Sequence, residues 1–418
     1  MDMVKAYGNL IKKNIDKPET ALKLINFGLI IAYYWLSNRH DKRMPKSFKY
    51  LNKICVKYIH EPLKRPNNSA WVNLFAPAEI LHAMGIYPLF VEAFASFLCG
   101  FECEDEFIDR AEQAGIAETL CSYHKAFLGA GITGLLPRPK FAVTTSMICD
   151  ANINTFRHLT DMYDIPCYVI DIPNHYSSDA EQYVTEQLME MVCMIEEITG
   201  RRLNESRLKD VLITENQTRV FMKRYLDSLE TKYFPSTLTM EMFMLFTSHV
   251  FMGRQETYRF YQMLCQEIES YPTRRVKKIF WVHLLPYYQA TLQRYFNLSD
   301  KYQVLGCDLN FDYLDAIDYN NPYRALARKM IQNQYNGGYE RRIDGIAKII
   351  KKLKPDGVIN FCHWGCKQSS GGVMLLRDAV KDMGIPFLSL DGDGIDKRNG
   401  HDGQIKTRLE AFLEILDR

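Results

Sequence analysis

The sequence predicts an α/β protein with two parallel-sheet units, plus helical segments at the N-terminus and in the centre. Three observations predict it. Apolar runs bounded by Gly, Pro and Asp alternate with amphipathic segments on both sides of residues 178–271. Short motifs recur at corresponding places: Cys149-Asp-Ala-Asn152 and Cys307-Asp-Leu-Asn310 each end a strand, and Met84-Gly-Ile-Tyr-Pro88 and Met383-Gly-Ile-Pro386 each precede one. Such pairs are expected of a duplicated βαβ unit. Finally, Gly357 to Arg377 reads as strand, loop and helix, with Cys362 and Cys366 in the loop, where open α/β sheets gather ligands.

The bulk numbers agree. A chain of 418 residues can hold two or three domains with ample core. It is 47% apolar and 24% charged, ordinary for a soluble globular protein, and its net charge of +2 gives no case for nucleic acid or an anionic membrane. The N-terminus carries no signal peptide. The most apolar run, Phe27 to Leu36, is too short to span a bilayer and reads as a buried helix. A cytoplasmic location is expected, where eleven cysteines are not a disulfide framework and the sequons at Asn67, Asn204, Asn216 and Asn297 carry no meaning.

Residues 1–70 read as an N-terminal helical segment, with Cys55 in its core. The first α/β unit spans 71–177. Within it, Ala78–Met84 is a short helix, Gly85–Glu92 a turn and strand, and Phe141–Cys149 a buried strand. A helix over 152–161 and a strand over Pro166–Pro173 follow, with Cys167 structural at the strand's start. Gly129–Gly134 formally matches a dinucleotide fingerprint but follows a helical segment, so it reads as a glycine-rich helix end. Residues 178–271 form a helical layer, with Cys193 and Cys265 as core. The second unit, 272–418, has strands at Lys278–Leu284, Tyr302–Cys307, Gly357–Cys362 and Pro386–Asp391. Its helices lie at 323–335, 339–353, 373–383 and 404–416.

Cys149, Cys307 and Cys362 each close a predicted strand, and Cys366 stands one loop further on. Cys103 and Cys121 lie in polar, loop-like segments before the first of these strands, with Cys99 the alternative to Cys103. If the two sheets face each other, their strand ends define one cleft, and converging thiolates there suit a soft metal. Structural zinc sites use close Cys pairs, a form found only in Cys362/Cys366 and Cys99/Cys103. Ligands delivered singly from distant strand ends suit an iron–sulfur cluster better. Zinc and no metal are the other two readings of the residues.

His363, Lys367 and Gln368 flank the thiols and could donate hydrogen bonds to cluster sulfides, or be solvated loop residues. Ser369–Gly372 begins a helix and could hold an anion or act as a cap. Glu79, His82 and Glu92 are candidates for proton transfer if they line the cleft. Asp391–Asp396 lacks the sixth-position Gly of a calcium loop, and no Gly-x₄-Gly-Lys-Ser/Thr motif is present.

Trp71–Pro88, Cys121-Ser-Tyr-His-Lys125, Thr144–Asp150 and Asn360-Phe-Cys-His-Trp-Gly-Cys-Lys-Gln-Ser-Ser-Gly-Gly372 resemble the 2-hydroxyacyl-CoA dehydratase / benzoyl-CoA reductase family, from about residue 70 to the C-terminus. The resemblance implies two Rossmann-like (flavodoxin-like) domains with an iron–sulfur cluster between them. It also implies electrons from a separate homodimeric iron–sulfur ATPase, the activator, which docks over the cluster edge. Dehydratase and benzoyl-CoA reductase subunits pair as unlike chains, with about three cysteines for one [4Fe-4S] cluster. The dehydratases expel hydroxide through a ketyl radical. The double-cubane branch is similar to a homodimer whose chain holds an [8Fe-9S] cluster on six cysteines and reduces a small molecule. Cys103, Cys121, Cys149, Cys307, Cys362 and Cys366 supply that count, so the double-cubane reductase is the favoured expectation. The dehydratase subunit comes second, and a non-catalytic α/β binding protein with core cysteines third. Oxygen should destroy activity on either enzyme reading.

Overall fold

The computed structural model describes residues 3–38, 42–273 and 275–418. Among the described residues eight strands form two parallel four-stranded sheets. The first holds β1 (Ser69–Val72), β2 (Tyr87–Phe90), β3 (Phe141–Thr145) and β4 (Cys167–Ile170), in the order β2-β1-β3-β4. The second holds β5 (Lys277–Val282), β6 (Tyr302–Cys307), β7 (Gly357–His363) and β8 (Phe387–Gly392), in the order β6-β5-β7-β8. Each sheet begins on an interior strand, steps to one side, then returns to the other. The two topologies are the same, as the recurring motifs predict. Each first strand also carries a fully buried tryptophan, Trp71 in β1 and Trp281 in β5.

The inner strands are nearly continuous buried runs because helices cover both faces of a parallel sheet, while the edge strands β4 and β8 are only partly buried. All four residues of β1 and all seven of β7 are buried. The reversal of strand order puts a crevice at the carboxyl ends of β1 and β3, and another at those of β5 and β7.

Helices Ser178–Thr199, Glu205–Leu229, Leu238–Thr247 and Gln255–Ser270 form the central layer. Their starts are set by caps: Ser177, Asn204 and Thr237 accept from the N–H groups of Ala180, Arg207 and Met240. The layer joins both units. Phe246 packs edge-on against Phe90 of β2 at 5.2 Å, and buried Glu181 holds Arg324 and Arg328 of the second unit.

Four expectations need correction. Phe27–Leu36 lies in the helix Pro18–Asn38, but that helix is not wholly buried. Ala21, Ile25 and Leu29 face the core, while Phe27, Ile30, Ile31, Tyr34 and Trp35 are exposed. The apolar residues fall on both sides of the helix, so apolarity alone did not say which side was covered. Among the described residues no helix is long and apolar enough to cross a membrane. The strand expected to run to Cys149 ends at Thr145, because the chain turns through Ile148 at φ 70°. Cys193, expected in the core, is exposed. The loop expected around Cys99 and Cys103 is helical: Cys99 lies in the helix Val91–Gly100, and Cys103 caps Glu104–Gln113.

Candidate metal centre

Five of the six singled-out cysteines occupy the same local position, the residue just before a helix. Cys103 precedes Glu104–Gln113, Cys121 precedes Ser122–Ile132, and Cys149 precedes Asp150–Tyr163. Cys307 precedes the 3₁₀ turn Asp308–Phe311, and Cys366 precedes Lys367–Ser370. Free N–H groups at a helix start favour a thiolate. The N–H groups of Asn152 and Ala151 act on Cys149 in this way, and that of Tyr123 acts on Cys121.

The fold brings three of these thiols together. Burial pushes the Cys121 thiol well above its usual range, and the charges of Cys366 and Cys149 push it further. Burial and then Cys366 push Cys149 up to about 12. Cys366 thus bears on both Cys121 and Cys149, which places the three thiols near one another. They come from both units, since Cys121 and Cys149 flank β3 and Cys366 follows β7. The closest approach is at Gly365. A Cβ there would stand 2.6 Å from the Cys121 nitrogen and 2.8 Å from the Thr119 carbonyl oxygen, and the residue has φ +76°. Only glycine allows the β7 turn to press against the Cys121 backbone.

The other thiols have different neighbours. The Cys362 sulfur lies 3.3 Å from both Asn360 Nδ2 and Ser389 Oγ, and 3.6 Å from the Ser369 carbonyl. Cys307 is fully buried beside Asp308, under the N–H groups of Asn310 and Leu309. Cys103 is fully buried near Cys99, with its sulfur 3.5 Å from the Leu98 carbonyl.

His363 is buried against the trio, with Nε2 3.2 Å from the Cys121 sulfur. Lys367 is exposed, and the carbonyl of half-buried Gln368 accepts from Arg342 at 2.8 Å. Asp308 and Arg342 form a buried pair at 2.9 Å that braces this turn. Three residues of the site were not singled out in the sequence. Lys125 is buried one helical turn from Cys121 and pairs with Glu112 at 2.6 Å. Asp393 accepts from Ser122 at 2.5 Å, and Gly394 donates to His363 at 2.9 Å. The Asp391–Asp396 run, with the wrong spacing for calcium, thus walls the thiol site; its density of turn residues was the only signal.

A small cavity is lined by Phe75, Glu79, Met147, His249, Asp312 and Lys329. Met147 belongs to the same turn as Cys149. Lys329 bridges Glu79 and Glu215, at 3.0 Å from the latter. Burial raises Glu79; it acts on Glu215 too, but Lys329 and Arg219 overcome it and hold Glu215 down at about 2. Glu92 is close enough to bear on Cys149, and burial pushes its carboxyl up to about 7. His82 is elsewhere, held to the Val250 carbonyl at 2.7 Å and lowered by burial to about 3.

Among the described residues no three His, Cys, Asp or Glu side chains converge tightly enough for a single metal ion. The donor set fits a broader group. Three neighbouring thiols at helix starts, with the His363 ring against one of them, fit the ligands and outer hydrogen bonding of an iron–sulfur cluster.

Fold and site together define a two-unit α/β protein with a thiol centre at the facing strand ends. The chain belongs to the family of the 2-hydroxyglutaryl-CoA dehydratase D-component, whose model matches residues 73–416. It is 24% identical over 411 residues to the (R)-phenyllactyl-CoA dehydratase alpha subunit of Clostridium sporogenes, covering 91% of this chain and 98% of that one. It is 23% identical over 304 residues to the (R)-2-hydroxyglutaryl-CoA dehydratase alpha subunit of Acidaminococcus fermentans, covering 68% and 61%. It is 22% identical over 351 residues to a benzoyl-CoA reductase subunit of Thauera aromatica, covering 74% and 79%. The chain is an enzyme of this dehydratase and reductase type, and the relatives are named as components or subunits.

Proposed function

We propose that this chain is the subunit of a 2-hydroxyacyl-CoA dehydratase-type enzyme that holds one [4Fe-4S] cluster on Cys121, Cys149 and Cys366. The observation that carries this reading is the convergence of those three thiols from both units, locked by the approach of Gly365 to Cys121. The cluster would supply single electrons at very low potential, delivered by a separate ATP-hydrolysing iron–sulfur activator.

The chain's own residues do the rest. The acyl end of a coenzyme A thioester would bind on the side of the site marked by the small cavity beside Met147. Glu92 is poised near neutral pH to hold or release a proton beside that cavity. The Glu79–Lys329–Glu215–Arg219 network and the His249–Asp312 pair, at 3.0 Å, keep its walls fixed. A second, unlike chain completes the enzyme, as the names of the relatives support.

The double-cubane version of this reading, a homodimeric reductase, needs Cys103, Cys307 and Cys362 as well. The groups that act on Cys103, Cys307 and Cys362 include Glu104 and Cys99, Asp308, and Ser389 and Asn360 respectively, with none of the trio among them. The three-thiol version therefore fits better. To test it, the protein is reconstituted anaerobically with an activator, ATP and a panel of 2-hydroxyacyl-CoA thioesters, and the dehydrated product is followed by mass spectrometry. ATP-dependent loss of water, abolished in Cys149→Ala, is expected. Iron-loaded protein that dehydrates none of them but reduces a small molecule would move the function to the reductase branch.

A further inference from the structure

Resting on the cluster reading above, we propose that Asp393 and Gly394 form a positioning device that fixes the His363 tautomer and commits its single N–H to the Cys121 sulfur. The turn at Asp393 comes from the second unit, and Cys121 from the first. His363 lies between them.

The hydrogen bonds determine the tautomer. The Gly394 backbone N–H donates to His363 Nδ1 at 2.9 Å. A backbone N–H can only donate, so Nδ1 must be bare. The ring is fully buried. With Nδ1 accepting, the imidazole carries a single proton, on Nε2. That nitrogen lies 3.2 Å from the Cys121 sulfur, and Nε2–H donates to it.

A nearby carboxylate would ordinarily reverse this. Asp393 Oδ1 is 3.7 Å from Nδ1, and a direct His–carboxylate pair would put the proton on Nδ1. Here the carboxylate is committed elsewhere. Oδ1 accepts from Ser122 Oγ at 2.5 Å and from the N–H groups of Ile395 and Asp396 at 3.0 and 2.9 Å. Oδ2 accepts from Asn399 at 3.1 Å. These bonds shape the turn so that Gly394, not Asp393, faces the ring. Position 394 also has no room for a side chain, since a Cβ would stand 2.7 Å from the Tyr123 ring.

Ser122 and Tyr123 directly follow Cys121. The turn therefore grips the segment that presents the thiol while it orients the histidine. A hydrogen bond to a cluster-ligating sulfur raises the reduction potential. Asp393 thus acts on the cluster through Gly394 and His363.

The test begins without metal. In metal-free protein with ¹⁵N-labelled histidine, long-range ¹H–¹⁵N spectra report which ring nitrogen carries the proton, and loss of a signal in His363→Phe assigns it. Wild type should show the Nε2–H form alone. Asp393→Ala should give mixed tautomers, and Asp393→Asn, which keeps an acceptor oxygen for the turn, should restore the single form. In reconstituted protein the midpoint potential should be more negative in Asp393→Ala and His363→Phe, and near wild type in Asp393→Asn. An Nδ1–H or doubly protonated wild-type ring overturns the inference, as does Asp393→Ala with tautomer and potential unchanged. If Asp393→Ala does not fold, the wild-type tautomer and the Asp393→Asn variant decide. If no iron is taken up, the cluster reading fails while the tautomer measurement still tests the device.

Discussion

Replacing Gly365 with alanine should empty the thiol site while leaving the fold in place. Two costs add. The backbone at φ +76° is left-handed, which costs an L-residue roughly 1–2 kcal/mol. The new Cβ would stand 2.6 Å from the Cys121 nitrogen, 2.7 Å from the Leu120 carbonyl carbon and 2.8 Å from the Thr119 oxygen. All three are backbone atoms, none of which can swing aside, and overpacking of this kind costs about 1–3 kcal/mol. The total is about 2–5 kcal/mol. The cheapest relief moves the turn after β7 away from residues 119–121, which separates Cys366 from Cys121 and leaves both sheets intact. Gly384→Ala is the control. It has φ +74°, but nothing lies within 4 Å of its Cβ, so it carries the backbone strain without the clash. Iron and acid-labile sulfide per chain, with thermal unfolding by circular dichroism, check the prediction. Gly365→Ala should lose most of its iron and Gly384→Ala none. Full iron in Gly365→Ala would refute the view that this contact holds the two thiols together.

Other predictions concern buried charge. Glu241 is buried with one carboxylate oxygen unpartnered, and burial pushes it up to about 7 from an ordinary value of 4.5. Its folded pKa lies above its unfolded one, so it costs stability progressively as pH rises between those values. From pH 5.5 to pH 8, wild type should lose about 2 kcal/mol relative to Glu241→Gln, read by urea unfolding of the metal-free protein; parallel pH profiles would contradict this. Lys329→Met strands Glu79 beside Glu215 and should destabilise by about 3–5 kcal/mol at neutral pH. Thermal unfolding within a degree of wild type would show that the network carries no such weight.

Much of the fold was legible because buried parallel strands read as unbroken apolar runs. β5 to β7 come nearest this form, β8 alternates along Phe387–Gly392, and the expected bounds of all four lie within a few residues of those observed. β1 was read only as the start of a new unit, since Ser69–Val72 is short and merges into an apolar segment running to Ala78. The helix Val91–Gly100 was hidden because Gly100, which is its last residue, was read as a loop marker. The thiols were visible as residues but not as a set. Cys362 and Cys366 are four apart, and which of them faces Cys121 depends on the left-handed turn at Gly365. His363 was found because it adjoins the thiols. Asp393 and Lys125 were missed because their roles arise from contacts across the fold, and spacing carries no trace of those.

The central claim is that Cys121, Cys149 and Cys366 hold one cluster. Its most direct test is iron and acid-labile sulfide per chain after anaerobic reconstitution, for wild type and for alanine variants of all six candidate cysteines. About four irons are expected in wild type, lost in Cys121→Ala, Cys149→Ala and Cys366→Ala and kept in Cys103→Ala, Cys307→Ala and Cys362→Ala. About eight irons, with loss in all six variants, would contradict the three-thiol site and restore the double-cubane reading.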